Sequence, residues 1–158
     1  MKKFLVLLTV AGCLISGSAM AKSGMGIQWS YATGVAFNMK MDVHEFYVGT
    51  DLTSLMYGAV PIIAGYQYDI PITAIQALPL YVCVGGNVTI LAAPVFAFSG
   101  GGIVGVGIEY AINEQMSFFA DGGIAITYVP PITYMGYTLY AGGIGVGPSI
   151  KAGLRFVR

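Results

Sequence analysis

The sequence predicts an all-β chain that folds into a single antiparallel transmembrane β-barrel of eight strands. Its composition is 56% hydrophobic but only 9% charged, whereas ordinary globular domains carry about 25% charged residues. Several segments alternate between large apolar and small or polar side chains, which is the period of a strand with two different faces. A basic start followed by an apolar run predicts export from the cytoplasm. Together these observations predict a secreted chain that meets lipid through strands.

The N-terminal segment, residues 1–21, has the parts of a cleaved secretory signal peptide. Two lysines precede an apolar run over residues 4–15, and Ala19-Met20-Ala21 matches the small-residue cleavage pattern. The run is shorter than the roughly 20 apolar residues that a membrane-spanning helix needs. We expect cleavage after Ala21, so that residues 22–158 form the mature barrel domain.

The two cysteines bear on processing and on disulfides. Val10-Ala11-Gly12-Cys13 resembles a lipoprotein cleavage box, which leaves open that Cys13 becomes a lipidated N-terminus, although that signal would be very short. Cleavage after Ala21 instead leaves Cys83 as the one remaining cysteine. An intramolecular disulfide is then excluded.

Charge is sparse along the predicted mature chain. It carries five basic and seven acidic residues, a net charge of −2, without a basic cluster. The electrostatic footprint of a nucleic-acid-binding protein is therefore missing from the sequence. No charged residue occurs between Asp69 and Glu109, and a stretch of that length favours a lipid environment.

Period-two alternation is clearest over residues 27–41 and recurs over 104–112, 116–128 and 150–156. In each segment one set of positions is mainly large and apolar, while the other is mostly Gly, Ala, Ser or polar. A soluble sandwich would expose a face rich in Lys, Glu and Thr, whereas small residues suit the interior of a narrow barrel with its apolar face turned to lipid. Lipid forbids open sheet edges, so we expect the sheet to close.

A helical membrane protein is the main alternative fold. The uncharged stretch 70–108 is long enough for one or two membrane-spanning helices. However, Pro79, Pro94, Gly85-Gly86 and Gly100-Gly101-Gly102 divide it into short pieces, which favours strands and turns.

The strand count follows from these segments. Bacterial single-chain barrels have an even number of strands, from eight upward. If 42–55 were a single surface loop, another segment would have to split to restore eight. Loops are predicted over 69–76 and 129–134. Six strands are predicted over 26–41, 56–69, 78–90, 102–112, 116–129 and 147–157, and two weaker ones over 45–52 and 134–142.

The C-terminal third resembles a known family. Gly107-Ile108-Glu109-Tyr110-Ala111-Ile112, then Phe118-Phe119-Ala120-Asp121 and finally Lys151-Ala152-Gly153-Leu154-Arg155-Phe156 resemble the last hairpins of small outer-membrane barrels of the OmpA-transmembrane/OmpX-like superfamily. The resemblance covers residues 100–158 and the signal peptide. It implies a place in the Gram-negative cell envelope, in the outer membrane, and insertion by the barrel assembly machinery. One departure is that Val157-Arg158 follow Phe156, where such proteins usually end on an aromatic residue.

Three function classes remain open. The first is a structural or surface-interaction barrel with an interior closed by side chains. The second is a porin-like small gated pore or channel, and the third is a barrel enzyme that acts on lipid. We expect the first class and no enzyme activity, with outer-membrane lipids as partners, a monomeric state and no nucleic acid. The sequence does not identify a surface ligand or host partner.

Four charged residues share the parity of the small-residue face. An interior charge must be paired to avoid a cost of several kcal/mol, and two acids and two bases balance. We predict a structural salt-bridge network, with a gate or polar plug as the alternative. The predicted members are Glu109, Asp121, Lys151 and Arg155.

Tyrosine and tryptophan favour the interface between membrane and water. The large apolar positions contain several of them, which we predict to contact the interface. They are Trp29, Tyr31, Tyr66, Tyr68, Tyr110 and Tyr128.

Two further patterns carry little chemistry. Gly100–Gly105 matches G-x-G-x-x-G, but a dinucleotide site needs a following helix, and an alternating strand follows here. His44 with Asp42 and Glu45 lies in a predicted charged turn, where exposed polar residues need no special role. We therefore predict no catalytic, cofactor-binding or metal site.

Overall fold

A computed structural model describes residues 23–31, 34–75, 78–92 and 96–157. The predicted signal peptide, its cleavage site and Cys13 lie outside the described residues. The described elements are β1 (Gly24–Ser30), β2 (Gly34–Met41), β3 (His44–Thr50), α1 (Leu52–Met56), β4 (Pro61–Ile75), β5 (Leu78–Leu91), β6 (Ala97–Asn113), β7 (Met116–Val129), β8 (Ile132–Tyr134), β9 (Tyr137–Tyr140) and β10 (Gly143–Val157).

Eight of the strands form one closed antiparallel barrel in the order β1-β10-β7-β6-β5-β4-β3-β2. The first and last strands close it, with Gly24 opposite Val157 and Ser30 opposite Lys151. β8 and β9 form a separate two-stranded hairpin in the connection between β7 and β10. The predicted fold class, an all-β single barrel of eight strands, is confirmed.

The predicted strand over 26–41 is wrong, because this segment forms both β1 and β2. Ser30 pairs with Gly34 across the turn, so paired residues have the same parity and the alternation continues unbroken through the turn. Gly34 has a φ of 64°, the left-handed conformation that glycine adopts without steric cost. A sequence pattern of period two therefore cannot reveal this hairpin.

Other predicted boundaries also change. The predicted strand over 134–142 does not join the barrel, since β9 pairs only with β8, and the eighth strand comes from the split of 26–41. The loop predicted over 69–76 is largely strand, because β4 continues to Ile75. Ile70 and Ile72 are β-branched and favour extended backbone. The strand predicted over 56–69 begins later, at Pro61, because α1 ends at Met56 and residues 57–60 are not strand.

α1 is a single short turn of helix capped by Asp51. The carboxylate accepts hydrogen bonds from the backbone amides of Thr53 and Ser54 and from the Ser54 hydroxyl, which satisfies amides that a helix start leaves unpaired. The hydrogen bond from the Ser54 hydroxyl lowers the pKa of the Asp51 carboxyl below its usual value. Among the described residues, no helix combines the length and apolar character that crossing a membrane requires.

The two ends of the barrel differ. At one end, here called the turn end, the chain enters β1 and leaves β10, and short turns such as Glu114-Gln115 join the strands. The other end, here called the loop end, carries the longer connections, including α1 and the β8–β9 hairpin. The barrel interior between the two ends holds the charged side chains, and the outer face is apolar.

Candidate functional site in the barrel interior

The four charged residues predicted for the interior all lie inside the barrel. Glu109, Asp121, Lys151 and Arg155 are 2%, 8%, 6% and 0% exposed. Strand alternation explains this placement, because all four occupy odd positions on β6, β7 and β10, which face inward along with Gly105, Gly107 and Gly153.

The structure brings these four into one network, although Arg155 and Asp121 do not pair directly. The Arg155 guanidinium donates from Nη1 to Glu109 Oε1 at 2.5 Å. Lys151 Nζ lies 2.8 Å from Asp121 Oδ2, its direct neighbour across β10 and β7. The Ser117 hydroxyl donates to Glu109 Oε1 at 2.7 Å. Each acid therefore meets a base and at least one further donor.

Three further charged residues complete the network, and the sequence analysis missed them. Lys40 Nζ lies 2.7 Å from Asp69 and 3.0 Å from Glu109. Glu45 accepts from Lys151 and from Arg155, both at 2.8 Å. Lys40, Glu45 and Asp69 are each 0% exposed, so they are buried as fully as the predicted members.

Of the three missed residues, only Lys40 could have been placed in the interior from the sequence pattern. Lys40 shares the even parity of Gln28 and Asn38, the small or polar face of 27–41, so alternation alone placed it inside. Glu45 begins a segment whose strand character was weak. Asp69 lies where the predicted strand 56–69 meets the predicted loop 69–76, because Pro71 after it favours a turn in the sequence pattern although β4 continues to Ile75.

The seven charged residues form a connected ring around the interior. Gln67 links its acids, because its Nε2 donates to Asp69 at 2.7 Å and to Asp121 at 3.1 Å. Its Oε1 accepts from Lys151 at 3.1 Å. The Tyr81 hydroxyl donates to Asp121. Every acid in the ring thus has a cation within ion-pair distance and at least one further hydrogen-bond donor.

Aromatic rings pack against the cations of the ring. The Arg155 guanidinium lies 4.3 Å from the centroid of the Phe119 ring, and Lys40 Nζ lies 5.0 Å from that of Tyr81. Such cation–π contacts contribute roughly 2 kcal/mol when they are desolvated. Phe119 is 0% exposed, so it contributes to closing the interior as well as to holding the guanidinium.

Glycines make room for the interior aromatic rings. Tyr47 is paired with Gly65, Tyr81 with Gly107, and Phe119 with Gly153 on neighbouring strands. A Cβ at any of these three glycines would collide with the ring opposite it. The alternating glycines of the sequence therefore provide space for large inward side chains, which is the packing role predicted for the small-residue face.

At the level of the charged ring, side chains fill the interior. The cavity next to the ring, lined in part by Gln28, Asp121 and Lys151, has a volume of only about 10 Å³. A cavity of about 10–15 Å³ holds a single water molecule. Chemically, the ring joins three cations to four carboxylates through ion pairs, and its side chains block the barrel at this level.

The six predicted interface aromatics all lie on the outer face, between 38% and 70% exposed. Trp29, Tyr31 and Tyr128 lie toward the loop end of β1 and β7. Tyr110 lies toward the turn end of β6. Tyr66 and Tyr68 lie near the middle of β4, where Tyr68 pairs with His44 at the start of β3.

The remaining sequence patterns do not converge on a site. His44 points outward and its Nδ1 lies 2.8 Å from the Tyr66 hydroxyl, whereas Glu45 points inward and Asp42 lies in an exposed turn. Within the described part of the chain, no group of His, Cys, Asp and Glu could hold a metal ion. The segment Gly100–Gly105 lies within strand β6.

Comparison of the chain with models of protein families, with curated proteins and with solved structures found no match.

Proposed function

We propose that this chain is a bacterial outer-membrane β-barrel protein with a structural or surface-interaction role and an interior closed by side chains. The proposal includes export with a cleaved signal peptide, insertion by the barrel assembly machinery and a monomeric state in the outer-membrane lipids. The last hairpins resemble those of the OmpA-transmembrane/OmpX-like superfamily, and the proposal applies the location of those proteins to the whole chain.

The observation that carries the proposal is the inverted distribution of charge. Every charged residue on a barrel strand of the described chain is at most 8% exposed. On β10, for example, Ile144, Val146 and Ile150 are 73%, 69% and 53% exposed, while Lys151 and Arg155 point inward. Water would favour the opposite arrangement, because it solvates charges and disfavours apolar surface. A hydrocarbon surrounding fits the observed one, since lipid-facing strands are apolar and alternate with lumen-facing residues.

The aromatic side chains support the same proposal. The outer face carries Trp29 and Tyr128 near the loop ends of β1 and β7 and Tyr110 near the turn end of β6, which fits the aromatic girdles of a membrane barrel. Tyrosine and tryptophan favour these positions because one part of each ring system is apolar and another forms hydrogen bonds.

The closed interior favours a structural or surface-interaction role over a pore. Eight-stranded barrels have interiors just wide enough for side chains to fill, and here ion pairs and aromatic rings occupy that space. A conducting path would require several of the ion pairs between Lys40, Arg155 and their acids to separate together. The absence of enzyme activity stays a prediction.

The proposal is tested by expression of the full chain in a Gram-negative bacterium, followed by membrane fractionation. We expect the protein in the outer-membrane fraction, and slower gel migration after heating than before it, because a folded barrel resists detergent until it is heated. Planar bilayers containing the purified protein should show no steady conductance. Recovery in the cytoplasm or the inner membrane would contradict the proposed location, and stable conductance would contradict the closed interior.

A further inference from the structure

The barrel interior at the loop end contains a polar cup of about 240 Å³. Four neighbouring strands, β4 to β7, and the start of α1 form its wall. The cup lies on the loop-end side of the charged ring, which closes the interior below it. Its polar lining consists of Asp51, Ser54, Asn87, Thr89, Ser99 and Thr127.

The cup differs in chemistry from the ring. Its lining contains hydroxyls, one amide and one carboxylate, and it contains no lysine, arginine or histidine. An anionic ligand would therefore lose its hydration without gaining a counter-charge, which is costly. Side-chain hydroxyls both donate and accept hydrogen bonds, so the lining matches a ligand that also does both.

Gly101 lies next to two of the polar side chains of the cup. A Cβ at Gly101 would lie 2.8 Å from the Ile126 carbonyl oxygen, 3.1 Å from Asn87 Oδ1 and 3.2 Å from Thr127 Oγ1. Both side-chain oxygen atoms therefore lie beside the space that the missing side chain leaves. This is a third use of glycine in the barrel, beside the turn at Gly34 and the packing of rings.

The Asp51 carboxylate is committed to the cap of α1. It accepts from the backbone amides of Thr53 and Ser54 and from the Ser54 hydroxyl, and the Thr53 side chain also hydrogen-bonds to it. These four hydrogen bonds use the roughly four lone-pair sites of a carboxylate, so little of its charge remains for a cationic ligand. Pro61, Ile63 and Ala125 supply the apolar part of the wall, against which the C–H face of a ring can pack.

We propose that the loop-end cup binds one neutral polyhydroxylated ring, a unit of the monosaccharide class. Drug-sized ligands occupy pockets of about 300–1,000 Å³, so a cup of 240 Å³ restricts the ligand to a single small ring. The inference deepens the surface-interaction role and relies on it only in requiring that the loop end face water. The outer face of the barrel takes no part in the binding.

The experiment is a titration of the full mature protein in detergent micelles with D-glucose, followed through isoleucine methyl resonances. Ile63 is in the cup wall and Ile112 is on the outer face near the turn end. We expect a saturable shift of the Ile63 methyl resonance and no shift of the Ile112 methyl resonance. Inorganic phosphate and methylamine, as anionic and cationic probes, should leave Ile63 unmoved.

Matched variants make the test specific. Thr127→Val removes a cup hydroxyl at nearly constant shape and should weaken glucose binding about five- to tenfold, the equivalent of one hydrogen bond. Thr133→Val removes a hydroxyl on β8, outside the cup, and should leave binding unchanged. Equal effects of the two variants, no saturable Ile63 shift, or a saturable shift with phosphate or methylamine would overturn the inference. Gel migration before and after heating, measured on every variant, reports separately whether the barrel itself has formed.

Discussion

Arg155 and Glu109, which lie on opposite sides of the β7 strand in the barrel order, form an ion pair in the interior with Nη1 2.5 Å from Oε1. Arg155 also holds Glu45 at 2.8 Å through Nη2. One guanidinium therefore joins a strand near the start of the chain to a strand near its end. The two Nη groups of arginine can each bind a different acid because the guanidinium is planar and forked, a geometry that lysine lacks.

The pair predicts a non-additive response to mutation. Arg155→Ala leaves Glu109 and Glu45 without their shared cation, and breaking a buried pair costs about 3–5 kcal/mol. Combined with Glu109→Gln, which removes one stranded charge, the double change should cost less than the sum of the single changes. Unfolding by urea of the protein inserted in lipid vesicles measures this free energy.

The control is Asp121→Asn combined with Arg155→Ala. Asp121 pairs with Lys151 and not with Arg155, so its coupling to Arg155 is indirect, through other members of the ring, and should be smaller. Coupling as large as that of Glu109, or strict additivity for Glu109, would show that the ion pairs of the ring are arranged differently.

A charge introduced on the outer face should destabilise the barrel more strongly the closer it lies to the bilayer midplane. Ile150 lies at the centre of β10 and is 53% exposed. Ile150→Arg should cost about 2–4 kcal/mol in a bilayer, as for arginine at the midplane, and Leu154→Arg, nearer the turn end, should cost less. The same urea unfolding in vesicles measures both variants.

Leu139→Arg is the matched control for this prediction. Leu139 is 59% exposed on β9, which is outside the barrel wall, and a change there should stay within about 0.5 kcal/mol. If Ile150→Arg were as mild as Leu139→Arg, the outer face of β10 would not contact hydrocarbon.

Glycines that face aromatic rings should not tolerate a methyl group. A Cβ at Gly107 would collide with the Tyr81 ring and meet Asp121 Oδ1. Because overpacking typically costs about 1–3 kcal/mol, Gly107→Ala should destabilise the barrel by that amount. At Gly147, also on an inward position, a Cβ has no neighbour within 4 Å, so Gly147→Ala should be neutral. Similar unfolding free energies for the two variants would argue against the packing of Tyr81 on Gly107.

The N-terminus of the mature protein is also predictable. Ala19-Met20-Ala21 follows the apolar run, so we expect intact-mass spectrometry of the exported protein to give Lys22 as the first residue. Detection of an acylated Cys13 would make the protein a lipoprotein instead.

The alternation of side chains predicted the closed all-β fold. A sheet with large apolar residues on one face and mostly glycine and alanine on the other fits few structures except a closed barrel in lipid. The alternation also placed the charges of β6, β7 and β10. It could not locate the turn between β1 and β2, since the pairing of Ser30 with Gly34 preserves parity. Nor could it bring Lys40 to Asp69 and Glu109, because distant strands meet only when the barrel closes and parity carries no information on height within the interior.

The most direct test of a barrel whose apolar outer face contacts lipid uses Trp29, the single tryptophan of the chain. Trp29 is 51% exposed on the outer face of β1. Its fluorescence should be quenched when the protein is inserted in vesicles of lipids with brominated acyl chains, and it should resist quenching by iodide in the surrounding water. Strong quenching by iodide together with indifference to the brominated lipids would contradict the membrane barrel.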